Sequence, residues 1–238
     1  FFTSTDEVKA GFEFESTTHD GFVSFDKSET AKGNNIKDLK MFYHFYKWGR
    51  CPELLKEKTH KLHSQLESLA CDLLGSIEQY LPANIKENLS MPLSKMVKSS
   101  EHSLLRPIYY PSLNGNEPAG AIRSAPHEDI DMITLIAAPS EPGLQVKNKA
   151  GNWIDVPCDP AWLVINSGDM LDECTNGFYP STTHRVINPK ASENGVTKAR
   201  LSMPLFLHPH SDVKLSDRYP TAEGYRQERF GELGLSDK

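Results

Sequence analysis

The chain has 238 residues, and its 38% of hydrophobic residues is sufficient for the core of one large domain. Its formal net charge is −6, and its Lys and Arg residues are scattered without forming a long run. We therefore expect no nucleic-acid or membrane partner, since no stretch approaches the roughly 20 consecutive apolar residues of a membrane span.

The cysteines and the first residues bear on the cellular compartment. The four cysteines are widely separated, at Cys51, Cys71, Cys158 and Cys174. None is at CxxC spacing, so neither a zinc cage nor a redox pair is indicated. The chain opens on FFTSTDEVK without an initiator Met or a secretory signal. We expect reduced thiols and a cytoplasmic location.

The first 102 residues are predicted to be largely helical. Between residues 52 and 81, apolar residues recur three, four or seven positions apart, at Leu55, Leu62, Leu66, Leu69, Leu73, Ile77 and Tyr80. This spacing predicts an amphipathic helix of many turns, bounded by Pro52 and Pro82. A second, weaker helix is predicted over 85–100, with an interruption at Pro92. His60 and His63 share one helix face and are predicted to be solvated.

After residue 103 the pattern changes to short strands separated by turn residues. The candidates are LLRPIYY, AIRSA, MITLIAA, GLQVK, WIDVP, AWLVIN, STTHRVIN and ARLSMPLFL. Their number and spacing predict a sandwich or barrel, because no helix between them is long enough for a βαβ crossover. We expect a single domain over 1–238, with a helical front portion (1–102), a β-rich core (103–210) and a closing helix within 211–238.

The stretch APHEDIDMITLI carries a spacing typical of a metal site. His127 and Asp129 are two residues apart at the start of an apolar strand-like run, so their side chains share one face. His184, in another strand-like run, is the best candidate for a third ligand. Two histidines and one carboxylate form the facial triad of non-heme Fe(II) oxygenases, in which open positions admit a cosubstrate and O₂. Glu128 is predicted to point to the opposite face.

A second pair of residues predicts a carboxylate-binding pocket. Arg200 and Ser202 share one face of a strand candidate. The planar guanidinium matches a carboxylate with two parallel hydrogen bonds, and the serine adds a hydroxyl donor. Near an iron site, such a pocket suits a dicarboxylate whose other end chelates the metal, and 2-oxoglutarate fits this description.

The motifs HEDIDMITLI, PGLQVKNKAGNW, VINSGDMLDECTNGFYPSTTHRV and ARLSMPLF, in this order, resemble the Fe(II)/2-oxoglutarate-dependent oxygenases. The branch that they resemble includes isopenicillin N synthase and the plant flavonoid and hormone oxygenases. The resemblance covers most of the chain and implies a mainly β fold: a double-stranded β-helix, or distorted jelly roll, with flanking helices and the long helix packed on it. It also implies that the N-terminal part of the family fold is absent.

The resemblance assigns roles to individual residues. It places His127, Asp129 and His184 at the iron-ligand positions, and Arg200 and Ser202 at the distal carboxylate of 2-oxoglutarate. Tyr110 matches a tyrosine that lines the same pocket. Ile108 stands where the family often has Asn, and the 188–199 loop looks longer than in many plant members.

The implied activity is a dioxygenase reaction that oxidises a small metabolite, by hydroxylation in the simplest case, and releases succinate and CO₂. Arg123, Arg106 and Phe206 are candidate substrate residues, and an Arg123 that faced the iron would imply a carboxylate or phosphate on the substrate. Two alternatives remain open. One is an iron oxidase that does not use 2-oxoglutarate, as in isopenicillin N synthase, and the other is a non-catalytic jelly-roll binding module.

Overall fold

Two antiparallel sheets form the centre of the molecule in the computed structural model, which describes residues 1–28, 36–190 and 197–232. The strands, in chain order, are β1 (Gly21–Val23), β2 (Met41–His44), β3 (Leu104–Leu105), β4 (Ile108–Tyr110), β5 (Ser124–His127), β6 (Ile133–Ala137), β7 (Leu144–Lys147), β8 (Trp153–Asp155), β9 (Leu163–Ser167), β10 (His184–Val186) and β11 (Arg200–Leu207). The α-helices are α1 (Asp6–Ala10), α2 (Glu53–Gln79), α3 (Ala83–Lys86), α4 (Leu93–Val97), α5 (Asp169–Cys174) and α6 (Ala222–Glu232).

The larger sheet has the strand order β1-β2-β4-β11-β6-β9, with β3 also paired to β11, and the smaller sheet has the order β5-β10-β7-β8. Neighbours in both sheets are frequently distant in sequence, as in a jelly roll rather than a meander. The two sheets face each other, because Ile108 and Ile136 of the larger sheet share one apolar cluster with Leu144 and Val186 of the smaller sheet. The predicted fold class, a mainly β jelly roll with flanking helices, is confirmed.

The other face of the larger sheet packs against helices. Leu205 and Leu207 of β11 are fully buried in the main core, together with Leu74 of α2 and Met96 of α4. Successive residues of a strand point to opposite faces, so β11 presents leucines to the helices and a different set of side chains to the smaller sheet. The larger sheet is therefore the middle of three layers.

The long predicted helix is confirmed as α2, which starts directly after Pro52 and ends at Gln79. Its buried face differs from the predicted stripe, since Leu69 is exposed whereas His63 and Glu67 are buried. The prediction that His63 is solvated is wrong: its Nε2 donates to the carbonyl of Ser103 at 3.1 Å. Burial lowers the pKa of His63, which favours the neutral imidazole.

The predicted second helix, interrupted at Pro92, corresponds to the short helices α3 and α4. Strands β1 and β2 come from the front portion of the chain yet extend the larger sheet. Parts of the 188–199 loop and of the predicted closing helix lie outside the described residues.

Among the described residues, no helix combines the length and apolar character that crossing a membrane requires.

Candidate metal centre and adjoining cavity

His127 and His184 are brought together by the pairing of β5 with β10. The two residues lie directly opposite each other in the antiparallel register, although 56 positions separate them in the sequence. Side chains of opposite residues in such a pair are close neighbours, and here the ring centroids are 4.3 Å apart. The strand pairing therefore supplies two imidazoles from distant parts of the chain.

The two imidazoles are held in the same way. Nδ1 of His127 lies 2.7 Å from the carbonyl oxygen of Ala125, and Nδ1 of His184 lies 3.0 Å from the carbonyl oxygen of Thr182. A carbonyl oxygen can only accept, so each Nδ1 carries the proton and each Nε2 keeps its lone pair. Both Nε2 atoms lie near one carboxylate oxygen, Oδ1 of Asp129, at 3.9 Å for His127 and 3.6 Å for His184.

Asp129 follows the end of β5, and its carboxylate is fixed by two donors. Oδ2 accepts from the hydroxyl of Thr134 at 2.6 Å and from the side-chain amide of Asn166 at 2.8 Å. Thr134 and Asn166 are register partners on β6 and β9. With Oδ2 occupied, Oδ1 is the oxygen that faces the two histidines.

The pKa of both His127 and Asp129 is lowered, for different physical reasons. Burial, together with the nearby His184, lowers the pKa of His127 to about 4, so its imidazole is neutral at pH 7. Burial acts to raise the pKa of Asp129, but the two histidines and the Thr134 and Asn166 hydrogen bonds outweigh it, and the pKa lies below its ordinary value. Neutral imidazoles and an ionised carboxylate are the forms that bind a metal.

The donor set fits a divalent transition metal. One ligand atom from each of His127, Asp129 and His184 lies within 4.8 Å of the others, so these side chains could hold a metal ion; we call them the metal-binding group. The second ring nitrogen of each histidine donates to a carbonyl, as is typical of metal-ligating histidines. Two imidazoles and one carboxylate leave coordination positions free, as an Fe(II) oxygenase requires.

A cavity of about 1080 Å³ opens beside this group, between the two sheets. Its inner walls carry apolar side chains from both sheets, including Phe42, Ile108, Leu144, Val186 and Phe206. Its outer part is bordered by the segment around His19 and by α6, through residues such as Arg226 and Phe230. A mainly apolar cavity with a few convergent polar groups is the usual form of a small-molecule site.

Arg200, Ser202 and Tyr110 all line this cavity. Arg200 is paired in register with Tyr110 of β4, and its guanidinium lies 5.1 Å from the centroid of the tyrosine ring. Nε of Arg200 donates to the carbonyl of Glu141 at 2.9 Å, while Nη1 is buried and has no hydrogen-bond partner in the described part of the chain. A buried donor without a partner is costly, so this guanidinium is suited to a ligand carboxylate.

The three candidate substrate residues occupy different places. Phe206 and Arg106 line the cavity, and the Arg106 guanidinium lies 3.7 Å from the centroid of the Phe42 ring. Arg123, immediately before β5, is fully buried and is not among the residues that border the cavity. Its guanidinium lies 5.9 Å from the Tyr110 ring centroid and donates to the carbonyl of Lys198.

Sequence reasoning missed the side chains that support the metal-binding group. Thr134 is buried within the apolar run MITLI and half-buried Asn166 ends the run AWLVIN, and polar groups removed from water need a hydrogen-bond partner. These polar residues were the available signal. The second missed feature is the buried ion pair between Asp38 and Lys40, at 2.8 Å, for which the sequence offers no signal.

The Asp38–Lys40 ion pair is linked to the metal-binding group through the main chain of Ala125. Oδ1 of Asp38 accepts from the backbone N–H of Ala125 at 2.9 Å, and the carbonyl of Ala125 holds His127. Asp38 and Lys40 also line the cavity. Glu128 accepts from the hydroxyl of Thr183 at 2.7 Å, and both Glu128 and His208 border the cavity.

Comparison with known proteins gives a consistent result. The sequence profile of the 2OG-Fe(II) oxygenase superfamily matches residues 101–209. Gibberellin 2-beta-dioxygenase 7 of Arabidopsis thaliana is 31% identical over 171 residues, which are 71% of this chain and 45% of that enzyme. The chain spans about half the length of the curated relatives that it matches.

Two solved structures are similar over nearly the whole chain. An oxygenase from Shewanella oneidensis is 49% identical, with a TM-score of 0.85, over 99% of this chain and 83% of that one. A 2OG-Fe(II) oxygenase family protein from Caulobacter crescentus is 30% identical, with a TM-score of 0.73, over 98% of this chain and 82% of that one. The fold, the clustered side chains and these similarities agree, and the chain belongs to the 2OG-Fe(II) oxygenase superfamily.

Proposed function

We propose that the protein is an Fe(II)- and 2-oxoglutarate-dependent dioxygenase that hydroxylates a small metabolite. The observation that carries this proposal is the convergence of two Nε2 atoms and one carboxylate oxygen beside a cavity that also contains the unpaired Nη1 of Arg200. When bound, Fe(II) would supply the oxidising chemistry, using O₂ and 2-oxoglutarate and yielding succinate and CO₂.

The protein's contribution is to hold and orient the reactants. His127, Asp129 and His184 would bind the metal, and Thr134 and Asn166 keep Oδ1 of Asp129 directed at it. Arg200 and Ser202 of β11 would bind the distal carboxylate of 2-oxoglutarate. Tyr110, which lies opposite Arg200 on the neighbouring strand β4, would form a wall of this pocket. Phe42, Ile108 and Phe206 present apolar surface that excludes water from the substrate space.

The substrate that we propose is an anion, such as a carboxylic acid. Arg106 borders the same cavity as the metal-binding group, and its guanidinium is stacked on Phe42, which fixes its direction. Lys40 also borders the cavity, but its charge is paired with that of Asp38 at 2.8 Å. Replacing Arg106 with Met should raise KM for the substrate more than it lowers kcat, while 2-oxoglutarate affinity stays unchanged. An unchanged KM would argue against an anionic substrate at Arg106.

A succinate assay tests the proposed reaction. The Fe(II)-loaded protein is screened with amino acids, peptides and small acids for compounds that stimulate conversion of 2-oxoglutarate to succinate. Substrate-dependent O₂ consumption without 2-oxoglutarate turnover would instead identify an oxidase. A protein that binds no Fe(II) under anaerobic conditions would support a non-catalytic module.

The Arg200→Ala variant tests the cosubstrate pocket. It should strongly raise the 2-oxoglutarate concentration needed for half-maximal turnover, because the bidentate, charge-assisted hydrogen bonds to the distal carboxylate are lost. Metal binding should change little, since Arg200 is outside the metal-binding group. If the 2-oxoglutarate dependence is unchanged, the pocket assignment is wrong.

A further inference from the structure

Two buried guanidinium groups lie near the same tyrosine ring. The carbons at the centre of the Arg123 and Arg200 guanidinium groups are 5.9 Å and 5.1 Å from the ring centroid of Tyr110. Arg123 is 0% exposed and Arg200 is 2% exposed. Two buried positive charges therefore lie near Tyr110, which borders the cavity, and the charge of Arg200 acts on Arg123.

Within the described parts of the chain, neither arginine has an anionic partner. Each donates to one main-chain carbonyl: Arg123 to Lys198 and Arg200 to Glu141. Among the residues that the structure describes, Nε and Nη1 of Arg123 and Nη1 of Arg200 are buried and have no hydrogen-bond partner. The carboxylate of Glu141 acts on Arg123 at a distance, but it forms its ion pair with Lys198, at 3.5 Å.

Such an arrangement is unfavourable in the empty protein. A buried charge is normally paired, and two uncompensated like charges repel each other as well as losing their hydration. Burial and the charge of Arg200 both lower the pKa of Arg123. An anion bound at Arg200 would compensate both groups at once, because it would enter the electrostatic range of each.

We infer that Arg123 is a positioning residue of the cosubstrate pocket: from behind Tyr110 it adds a second positive charge that selects the distal carboxylate held by Arg200. The inference rests on the proposed function, since it takes 2-oxoglutarate as the ligand of Arg200. Arg123 does not border the cavity, so it acts through the field and through Tyr110 rather than by contact. This differs from the substrate role expected from its position before His127.

The test compares the affinities of two proteins for two ligands, as in a double-mutant cycle. Wild type and Arg123→Met are loaded with Fe(II) under anaerobic conditions, and binding of 2-oxoglutarate and of 2-oxopentanoate is measured by calorimetry. The second ligand has the same chelating end and the same chain length but lacks the distal carboxylate. The difference between the two ligands isolates the coupling between Arg123 and that carboxylate.

We expect Arg123→Met to weaken 2-oxoglutarate binding by about tenfold and to change 2-oxopentanoate binding by less than about twofold. Arg123→Lys, which keeps the charge, should recover most of the loss. The ligand-free Met variant should melt at a higher temperature than wild type, because an uncompensated buried charge has been removed. As a control, Arg218→Met removes an exposed arginine stacked on Tyr219 and should leave both affinities unchanged.

The results that would overturn the inference about Arg123 differ from the result that would overturn the proposed cosubstrate. Equal losses for both ligands, together with a lower melting temperature, would give Arg123 a structural role and overturn the inference. Unchanged 2-oxoglutarate affinity in Arg123→Met would overturn the inference alone. If wild type binds neither ligand, the proposed cosubstrate fails, and the inference fails with it.

Discussion

The two faces of strand β11 bury different kinds of side chain, apolar on one face and polar on the other. On the helix side, Leu205 and Leu207 are fully buried among leucines and methionines. On the cavity side, Arg200 and Ser202 are almost as buried, yet Nη1 of Arg200 has no partner among the described residues. The apolar groups of the helix side are packed within the folded chain, whereas the cavity side presents a buried donor that a ligand can satisfy.

This difference separates the residues that stabilise the fold from those that bind. A complete apolar face stabilises the protein by burying hydrocarbon, at roughly 25 cal/mol per Å². A polar, unsatisfied face costs stability in the absence of ligand and returns that free energy on binding. Substitutions on the helix side should therefore change unfolding, and substitutions on the cavity side should change ligand affinity.

The largest expected effect is on the cavity side, at Asp129. Asp129→Ala removes the only carboxylate of the metal-binding group, so metal affinity should fall by more than the roughly 10- to 100-fold typical of changes in outer-shell partners. Calorimetry with Fe(II) under anaerobic conditions measures this, and activity should be lost with it. Glu128→Gln, one residue away, is the matched control and should bind metal normally. Retained metal binding in Asp129→Ala would contradict the assignment.

The next effect is on the helix side. Leu205→Ala should lower the free energy of unfolding by about 2–5 kcal/mol, because it leaves a cavity in a fully packed layer. Urea denaturation measures the loss, and Fe(II) affinity of the folded protein should be unchanged. Leu201→Ala, on the same strand but 37% exposed, should cost much less. A large loss of metal affinity in Leu205→Ala would show that the two faces are not independent.

A third prediction concerns the residues that orient Asp129. Asn166→Ala removes one of the two donors to Oδ2, so Asp129 loses part of its fixed direction. Metal affinity should fall by about 10- to 100-fold, which direct titration would detect, while the fold is retained. An affinity equal to that of wild type would mean that Thr134 alone is sufficient.

The smallest effect is expected at Ser202. Ser202→Ala should weaken 2-oxoglutarate binding by about fivefold, the loss of one hydrogen bond worth about 1 kcal/mol. The melting temperature of the ligand-free protein should be nearly unchanged. Binding of 2-oxopentanoate should not respond, and an equal loss for both ligands would place Ser202 away from the distal carboxylate.

The motif chemistry of the site was accessible from the sequence because it depends on local spacing. His127, Asp129, Arg200 and Ser202 each stand two positions from a partner. Strand β11 converts that spacing into a shared face for Arg200 and Ser202, whereas Asp129 lies just beyond the end of β5. His184 was accessible because few histidines lie in strand-like runs. Helix α2 followed from the periodicity of the apolar residues, and the strand pattern predicted a sandwich or barrel, whereas the jelly roll itself was implied by the resemblance of the motifs.

The remaining features depend on pairing between distant segments. Strand β2, in KMFYHFY, was missed because both of its faces are buried, with Phe42 in one cluster and Tyr43 in another, so no polar alternation marks it. The contact from Asp38 to Ala125 spans 87 positions. Likewise, only the three-dimensional packing places Arg123 behind Tyr110 rather than in the cavity.

The carbonyls of Ala125 and Thr182 have a consequence for how the site can vary. Both histidine protons are held by main-chain carbonyls two residues earlier in the chain. Every amino acid supplies such a carbonyl, so the tautomer of each imidazole does not depend on the identity of the side chains at positions 125 and 182. The neighbourhood of the histidines can therefore change in shape and polarity, and with it the choice of substrate, while the nitrogen that faces the metal stays the same.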